Sequence, residues 1–275
     1  MGDRQQTSIS DSWGMATVTD IKEVKTKETS GFFVYHRYED VRYDTQPILY
    51  DDGVMSDMRS NTRRSRSGIP IEYEKCRGKD IDFGRYTGED VTIQKKILND
   101  FVVNFEIFQQ EGNGLYIYSK TNGSGKTMIA CALANEIMER YDIPVKFINV
   151  ADYIELVKSK DDAGRDQAKS IMEAGLLILD DVGAQVENKD WIITALFRLI
   201  DRRYTNRYPT IFTSNIKREN LKTDPRIHDR IYRMTIPVIM PEVNVRKQMA
   251  DEETKSFLKS LQERGKQSEE LQVFR

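Results

Sequence analysis

Lys120-Thr121-Asn122-Gly123-Ser124-Gly125-Lys126-Thr127 lies between a short apolar run, Leu115-Tyr116-Ile117-Tyr118, and a helical pattern, Met128-Ile129-Ala130-Cys131-Ala132-Leu133-Ala134. A glycine-rich loop between a buried strand and a helix is the context that a phosphate-binding loop requires. Gly123 and Gly125 let the backbone turn tightly, so that consecutive N–H groups and the positive end of the helix face a triphosphate. Lys126 is then expected to reach the β- and γ-phosphates, and Thr127 to hold Mg²⁺. Asn122, Ser124 and Met128 complete the set of expected phosphate-contacting positions. One position departs from the pattern. Lys120 stands where the motif has its first glycine, which predicts a less tight opening turn and a weaker hold on ATP.

The 275 residues suffice for one sizeable α/β domain and an appendage. With 39% hydrophobic and 31% charged residues and a net charge of −2, the chain as a whole is no basic nucleic-acid binder, so contact with nucleic acid would need a local patch. Cys76 and Cys131 are far apart, and His36 and His228 equally isolated, so neither a disulfide framework nor a zinc site is legible. No apolar run approaches the ~18 residues of a membrane helix. The opening Met1-Gly2-Asp3-Arg4-Gln5 is no signal peptide, and Gln6 replaces the small residue that myristoylation wants. A cytoplasmic protein is expected.

Residues 1 to about 30 are polar and without period, and a mobile arm is expected there. Phe32–Tyr38 and Pro47–Tyr50 read as short strands, the second ending at the turn signal Asp51-Asp52-Gly53. In this small β-rich module Tyr35, Arg37, Tyr38, Arg42 and Tyr43 interleave aromatics with cations. That pattern fits stacking on single-stranded nucleic acid, and equally an ordinary strand face or a protein-docking surface. Arg59, Arg63, Arg64 and Arg66 precede Ser67-Gly68-Ile69-Pro70 as a basic linker, either solvated or touching a phosphate backbone.

Ile93, Ile97, Phe101, Phe105 and Phe108 predict one face of a single helix spanning 91–108. Asp142-Ile143-Pro144 ends the helix after the loop, Val145–Val150 reads as a strand, and Ala151–Val157 as the start of another helix. In Ala174-Gly175-Leu176-Leu177-Ile178-Leu179-Asp180-Asp181, four aliphatics run into two carboxylates, as in a strand buried on both faces whose C-terminal end meets a ligand. Asp180 is placed for the Mg²⁺ shell and Asp181 to polarise an attacking water; a polar helix cap would also explain the pair. An amphipathic helix over 191–204 leads to the strand Pro209–Asn215. In a parallel sheet Asn215 ends within reach of the γ-phosphate, although a turn Asn is the plainer explanation of that residue alone. Arg226 and Arg230 share one face of a short helix, which suits either solvent or a neighbouring subunit's γ-phosphate. Met234–Met240 reads as a strand, and Val245–Arg275 as a charged helix fraying into a polar tail.

The order of these pieces resembles an AAA+ ATPase. Residues about 68 to 250 resemble, more narrowly, the helicase loaders of the DnaC/DnaI type and their IstB relatives. Ser67-Gly68-Ile69-Pro70 is similar to the stretch that opens their ATPase domain, Leu179-Asp180-Asp181-Val182-Gly183-Ala184 to their second acidic motif, and Phe212-Thr213-Ser214-Asn215 to their first sensor. The resemblance implies an AAA+ P-loop core with a parallel sheet and flanking helices, ATP and Mg²⁺ as ligands, and slow, partner-stimulated ATPase activity. It implies Asn215 as γ-phosphate sensor, Arg230 as an arginine finger acting in trans on self-association, and Arg246 as a second-sensor arginine. It further implies a hexameric replicative helicase and single-stranded DNA as partners, with no membrane. Loaders of this type often begin with a zinc-binding module, whereas residues 1–67 hold no cysteine and one histidine. The expected organisation is therefore a partner-binding module over 1–67, the ATPase domain over 68–250 and a charged helical tail over 251–275. An IstB-like transposition regulator and a nucleotide-binding adaptor without significant hydrolysis are the alternative expectations.

Overall fold

The computed structural model describes the backbone of residues 16–25, 30–38, 48–50 and 63–265, except 142, 160 and 184–189, with side chains from 63 to 261 under the same exceptions. The sequence expectations for residues 1–15, Arg42, Tyr43, the Asp51–Gly53 turn, Arg59, Asp142, Ala184 and the tail beyond 265 lie outside the described residues, as do the side chains of Tyr35, Arg37 and Tyr38. The chain divides into two compact units, Met1–Arg63 and Arg64–Arg275.

The first unit carries a three-stranded antiparallel sheet in the order β1 (Ala16–Lys25), β2 (Ser30–Tyr38), β3 (Ile48–Tyr50). β1 corrects the expected mobile arm: residues 16–25 pair antiparallel with β2, with a register shift between Val18 and Asp20, so that the backbone finds cross-strand partners despite the polar sequence.

The second unit is built on five strands, β4 (Gly114–Tyr118), β5 (Val145–Asn149), β6 (Leu176–Asp180), β7 (Thr210–Ser214) and β8 (Thr235–Ile239). Their order is β5-β6-β7-β4-β8 and every pairing is parallel. The two-residue period of a strand divides the side chains between two cores. Leu115, Ile117, Leu176, Ile178 and Ile211 face the helix Lys126–Arg140 and the segment preceding the sheet. Tyr116, Tyr118, Leu177, Leu179 and Phe212 face the helices Val150–Lys158, Asp162–Met172, Asp190–Thr205 and Pro225–Arg233. The three inner strands are buried along their whole length, while the edge strands β5 and β8 are buried only in part. That is the burial that near-continuous aliphatic runs imply.

The single helix expected over 91–108 is two helices, Thr92–Val103 and Phe105–Glu111, broken at Asn104. The break re-aims the stripe, so that Phe101 stacks edge-on against both Phe105 and Phe108 with ring centroids 5.5 and 4.9 Å apart. Ile93, the first member of that stripe, is 71% exposed.

Two details fix the sheet's borders. Phe147 of β5 donates its N–H to the Ser67 carbonyl at 2.7 Å, and Lys146 Nζ donates to the Arg66 carbonyl at 2.6 Å, so the linker covers the open edge of the sheet. Arg203 is fully buried with no carboxylate at hand. It donates instead to the carbonyls of Ile171, Met172, Ala174 and Pro209 and to Thr210 Oγ1, tying two helices to the starts of β6 and β7. Burial pushes its pKa down to about 9, so the cation persists at neutral pH.

Gly114 opens β4 where a Cβ would sit 1.9 Å from the Thr210 carbonyl oxygen. Gly114→Ala must therefore separate β4 from β7. A loss of about 1–3 kcal/mol is expected for such overpacking, measured as a lowered midpoint in urea; an unchanged midpoint would show that the strands part freely.

Candidate nucleotide-binding site

The site lies at the C-terminal ends of β4, β6 and β7, where a parallel sheet brings loops from three strands together. After Tyr118 the chain turns through Gly123 (φ 75°) and Gly125 (φ 87°), both left-handed, and the helix starts at Lys126. A Cβ on Gly123 would meet Asn244 Oδ1 at 2.6 Å and the Arg246 Cβ at 3.0 Å. The loop is thus packed against the start of the last helix, Val245–Gly265, with the Arg246 N–H donating to the Gly123 carbonyl at 2.9 Å.

Lys126 is 6% exposed. Its ammonium donates to Asn215 Oδ1 at 2.6 Å, to the carbonyls of Thr121 and Ser119 at 3.1 and 3.3 Å, and to Ser124 Oγ at 3.3 Å. Burial lowers its pKa, an effect opposed by the charges of Asp181 and Asp180. Four neutral acceptors around one cation are what a phosphate oxygen would compete with.

Thr127 Oγ1 approaches the Asp180 carboxylate at 2.9 and 3.2 Å, so the two expected metal-holding groups converge across the gap between the loop helix and β6. Asp180 is 7% exposed, and burial raises its pKa, with hydrogen bonds from Thr213 and Thr127 working against the rise. Among the described residues no cluster of three or more His, Cys, Asp or Glu forms a cage. One carboxylate beside one hydroxyl fits Mg²⁺, which keeps waters and takes further oxygens from phosphates rather than demanding a protein cage.

Asp181 is exposed and left-handed at φ 57°, an uncommon conformation for a residue with a side chain. Asn215 sits one residue past β7, in contact with Lys126. Lys126, Thr127, Asp180 and Asn215 are therefore brought together. Asn122 is exposed at the loop's crest, Ser124 is buried beneath it and Met128 is half-buried in the first helical turn.

Arg230 lies elsewhere. Its guanidinium is held by Asp201 of its own chain at 2.6–2.7 Å and stacks over Phe197 at 4.7 Å, beside Arg226 over the same ring at 4.5 Å. The two arginines do share a face, and that face is packed on the helix Asp190–Thr205.

Lys120 is exposed, and its φ is outside the left-handed region that only Asp181 and Arg207 adopt among described non-glycine residues. The turn into the loop is made without strain at the position where the motif has glycine.

Tyr86 was not singled out by sequence reasoning. Its hydroxyl donates to the Ser124 carbonyl at 2.7 Å, and burial pushes its pKa up to about 12, so it remains a donor. Next to it Arg85 forms a bidentate pair with Glu252 at 2.8 and 3.0 Å, joining the segment before the sheet to the last helix. A tyrosine forty residues from the loop carries no local pattern that would reveal this.

The fold and loop define an AAA+-type P-loop nucleotide-binding protein. The chain belongs to the family of IstB-like ATP binding proteins, whose family model matches residues 55–227. It is 29% identical over 115 residues to the replicative helicase loader DnaI of Bacillus subtilis, across 41% of this chain and 36% of that protein. To the replicative helicase loader DnaC of Escherichia coli it is 29% identical over 125 residues, across 42% and 49% respectively. The match thus takes in half or less of these curated relatives. Among solved structures, DnaI superposes with a TM-score of 0.55 at 23% identity, covering 66% of this chain and 98% of that one. The DnaC helicase loader does so at 0.50 and 23%, covering 62% and 100%, and both share the fold. No helix among the described residues is long and apolar enough to cross a membrane.

Since Lys120 is exposed and unstrained, Lys120→Gly is expected to leave the affinity for a fluorescent ATP analogue within about twofold, as for most surface substitutions. A tightening of about tenfold or more would show instead that the lysine obstructs the nucleotide.

Proposed function

We propose that this chain is an ATP-dependent DNA replication protein that binds a hexameric replicative helicase and loads it onto single-stranded DNA. The observation that carries the proposal is the convergence of Lys126, Thr127, Asp180 and Asn215 at the sheet's C-terminal end in a chain similar to proteins named as replicative helicase loaders. In this reading the backbone of Asn122–Gly125 and the first helical turn at Met128 cradle the phosphates, and Lys126 exchanges its neutral acceptors for phosphate oxygens. Asn215, released from the ammonium, turns to the γ-phosphate or its water, and Asp181 polarises that water. Thr127 and Asp180 would hold Mg²⁺, which would neutralise charge on the phosphates.

Arg246, in the first turn of the helix whose backbone bonds the Gly123 carbonyl, takes the role of second-sensor cation. Arg230 acts in trans: on side-by-side assembly it exchanges Asp201 for the γ-phosphate of the neighbouring subunit. An arginine supplied in trans contributes about 10³–10⁵ in rate, so isolated subunits hydrolyse ATP slowly and partners accelerate them. The module over 1–67 docks the helicase, and the protein works in the cytoplasm.

The match to IstB-like ATP binding proteins leads us to a second reading, a transposition regulator that coats DNA.

Co-elution with the replicative helicase of the source organism, in ATP and in ADP, tests the proposal. A nucleotide-responsive complex that is lost with Lys126→Ala or with deletion of 1–67 is expected. No complex in any nucleotide state, with length-dependent assembly on duplex DNA, would favour the second reading, and binding of ATP without turnover under any condition would favour an adaptor. For Arg230, mixtures of Lys126→Ala and Arg230→Ala chains are expected to regain ATPase activity that neither has alone. Failure of every mixing ratio would remove the trans role.

A further inference from the structure

β7 does more for the acidic strand end than pair with it. Thr213 is fully buried, and its hydroxyl donates to Asp180 Oδ1 at 2.5 Å while accepting the Asp181 N–H at 3.0 Å. A threonine hydroxyl has one proton and two lone pairs, so a single group here fixes both members of the pair: the carboxylate of the first and the backbone of the second. The next two bonds continue the stitch. The Val182 N–H donates to the Thr213 carbonyl at 2.9 Å, and Ser214 Oγ donates to the Val182 carbonyl at 2.5 Å. The strained φ of 57° at Asp181 is held within this set of bonds.

We infer that Thr213 is a positioning residue of the nucleotide site, and that its hydroxyl sets the direction of the Asp180 carboxylate toward the metal-binding hydroxyl of Thr127. This deepens the proposed ATPase function and rests on it. Asp180 Oδ1 receives Thr213 and Thr127 together, while Oδ2 receives only the longer approach of Thr127 at 3.2 Å. Without the Thr213 proton only Thr127 orients the carboxylate, and the part-buried Asp181 N–H loses its acceptor. Groups that orient a metal ligand from behind typically account for about 10–100-fold in metal affinity.

The test reads metal binding rather than turnover. A fluorescent ATP analogue is titrated in Mg²⁺ and in EDTA, and the ratio of the two Kd values gives the metal's contribution. Thr213→Val keeps the shape and removes the hydroxyl, Thr213→Ser keeps the hydroxyl, and Thr213→Ala removes it in a second context should the valine protein fail to fold. The hydroxyl-less variants are expected to lose about tenfold of the Mg²⁺ gain with EDTA affinity unchanged, while Thr213→Ser keeps the wild-type ratio. A wild-type ratio in Thr213→Val or Thr213→Ala, or a Thr213→Ser ratio as low as theirs, would overturn the inference while leaving the ATPase proposal standing. A wild-type protein that binds no nucleotide in either condition would overturn both.

Discussion

Three strands of the second unit are buried on both faces, and this constraint governs where chemistry can occur. A side chain on β4, β6 or β7 points into one of two apolar layers, so polar groups are affordable only where the strands end. β7 lies between β6 and β4, so the residues that end those three strands are neighbours in space though roughly fifty and ninety residues apart along the chain. The carboxylates of 180–181, the asparagine at 215 and the lysine beyond β4 are therefore concentrated by topology before any individual hydrogen bond forms. The few polar side chains inside the layers obey the same rule from the other direction. Arg203 is tolerated because five acceptors surround its guanidinium.

Much of this was legible from residue order. The inner strands announce themselves as aliphatic runs with polar ends, and the loop glycines as the only residues suited to left-handed turns beside a helix start. The expectation that Asn215 would finish beside the loop follows from parallel pairing and matches its contact with Lys126. Where the expectation failed, a competing interaction explains it. Five apolar residues at helical spacing suggested one helix, whereas the chain breaks at Asn104, with Phe101 packed edge-on against Phe105 and Phe108 across the break. The polar character of the first thirty residues concealed β1, because an antiparallel hairpin draws on cross-strand partners that a one-strand pattern does not display.

The site's supporting groups were not legible, and the reason is distance in sequence. Tyr86 meets Ser124 across 38 residues, Arg85 meets Glu252 across 167, and Thr213 meets Asp180 across 33. Each is an ordinary residue in its own neighbourhood, and only the folded chain gives it a role. Lys120 shows the converse. Its departure from the loop pattern was conspicuous in the sequence and is structurally mild, since the backbone there has no need of glycine's freedom.

The bond from Phe147 to Ser67 gives the linker a mechanical character. Residues 66–68 are laid along β5 as a short extra rung, with Gly68 so close that a Cβ would stand 2.9 Å from the Phe147 carbonyl oxygen. β5 in turn is paired in register with β6, where Asn149 lies opposite Asp180. Ser67 is consequently tied to the edge strand beside the acidic β6 by a main-chain bond that no substitution short of proline at Phe147 removes.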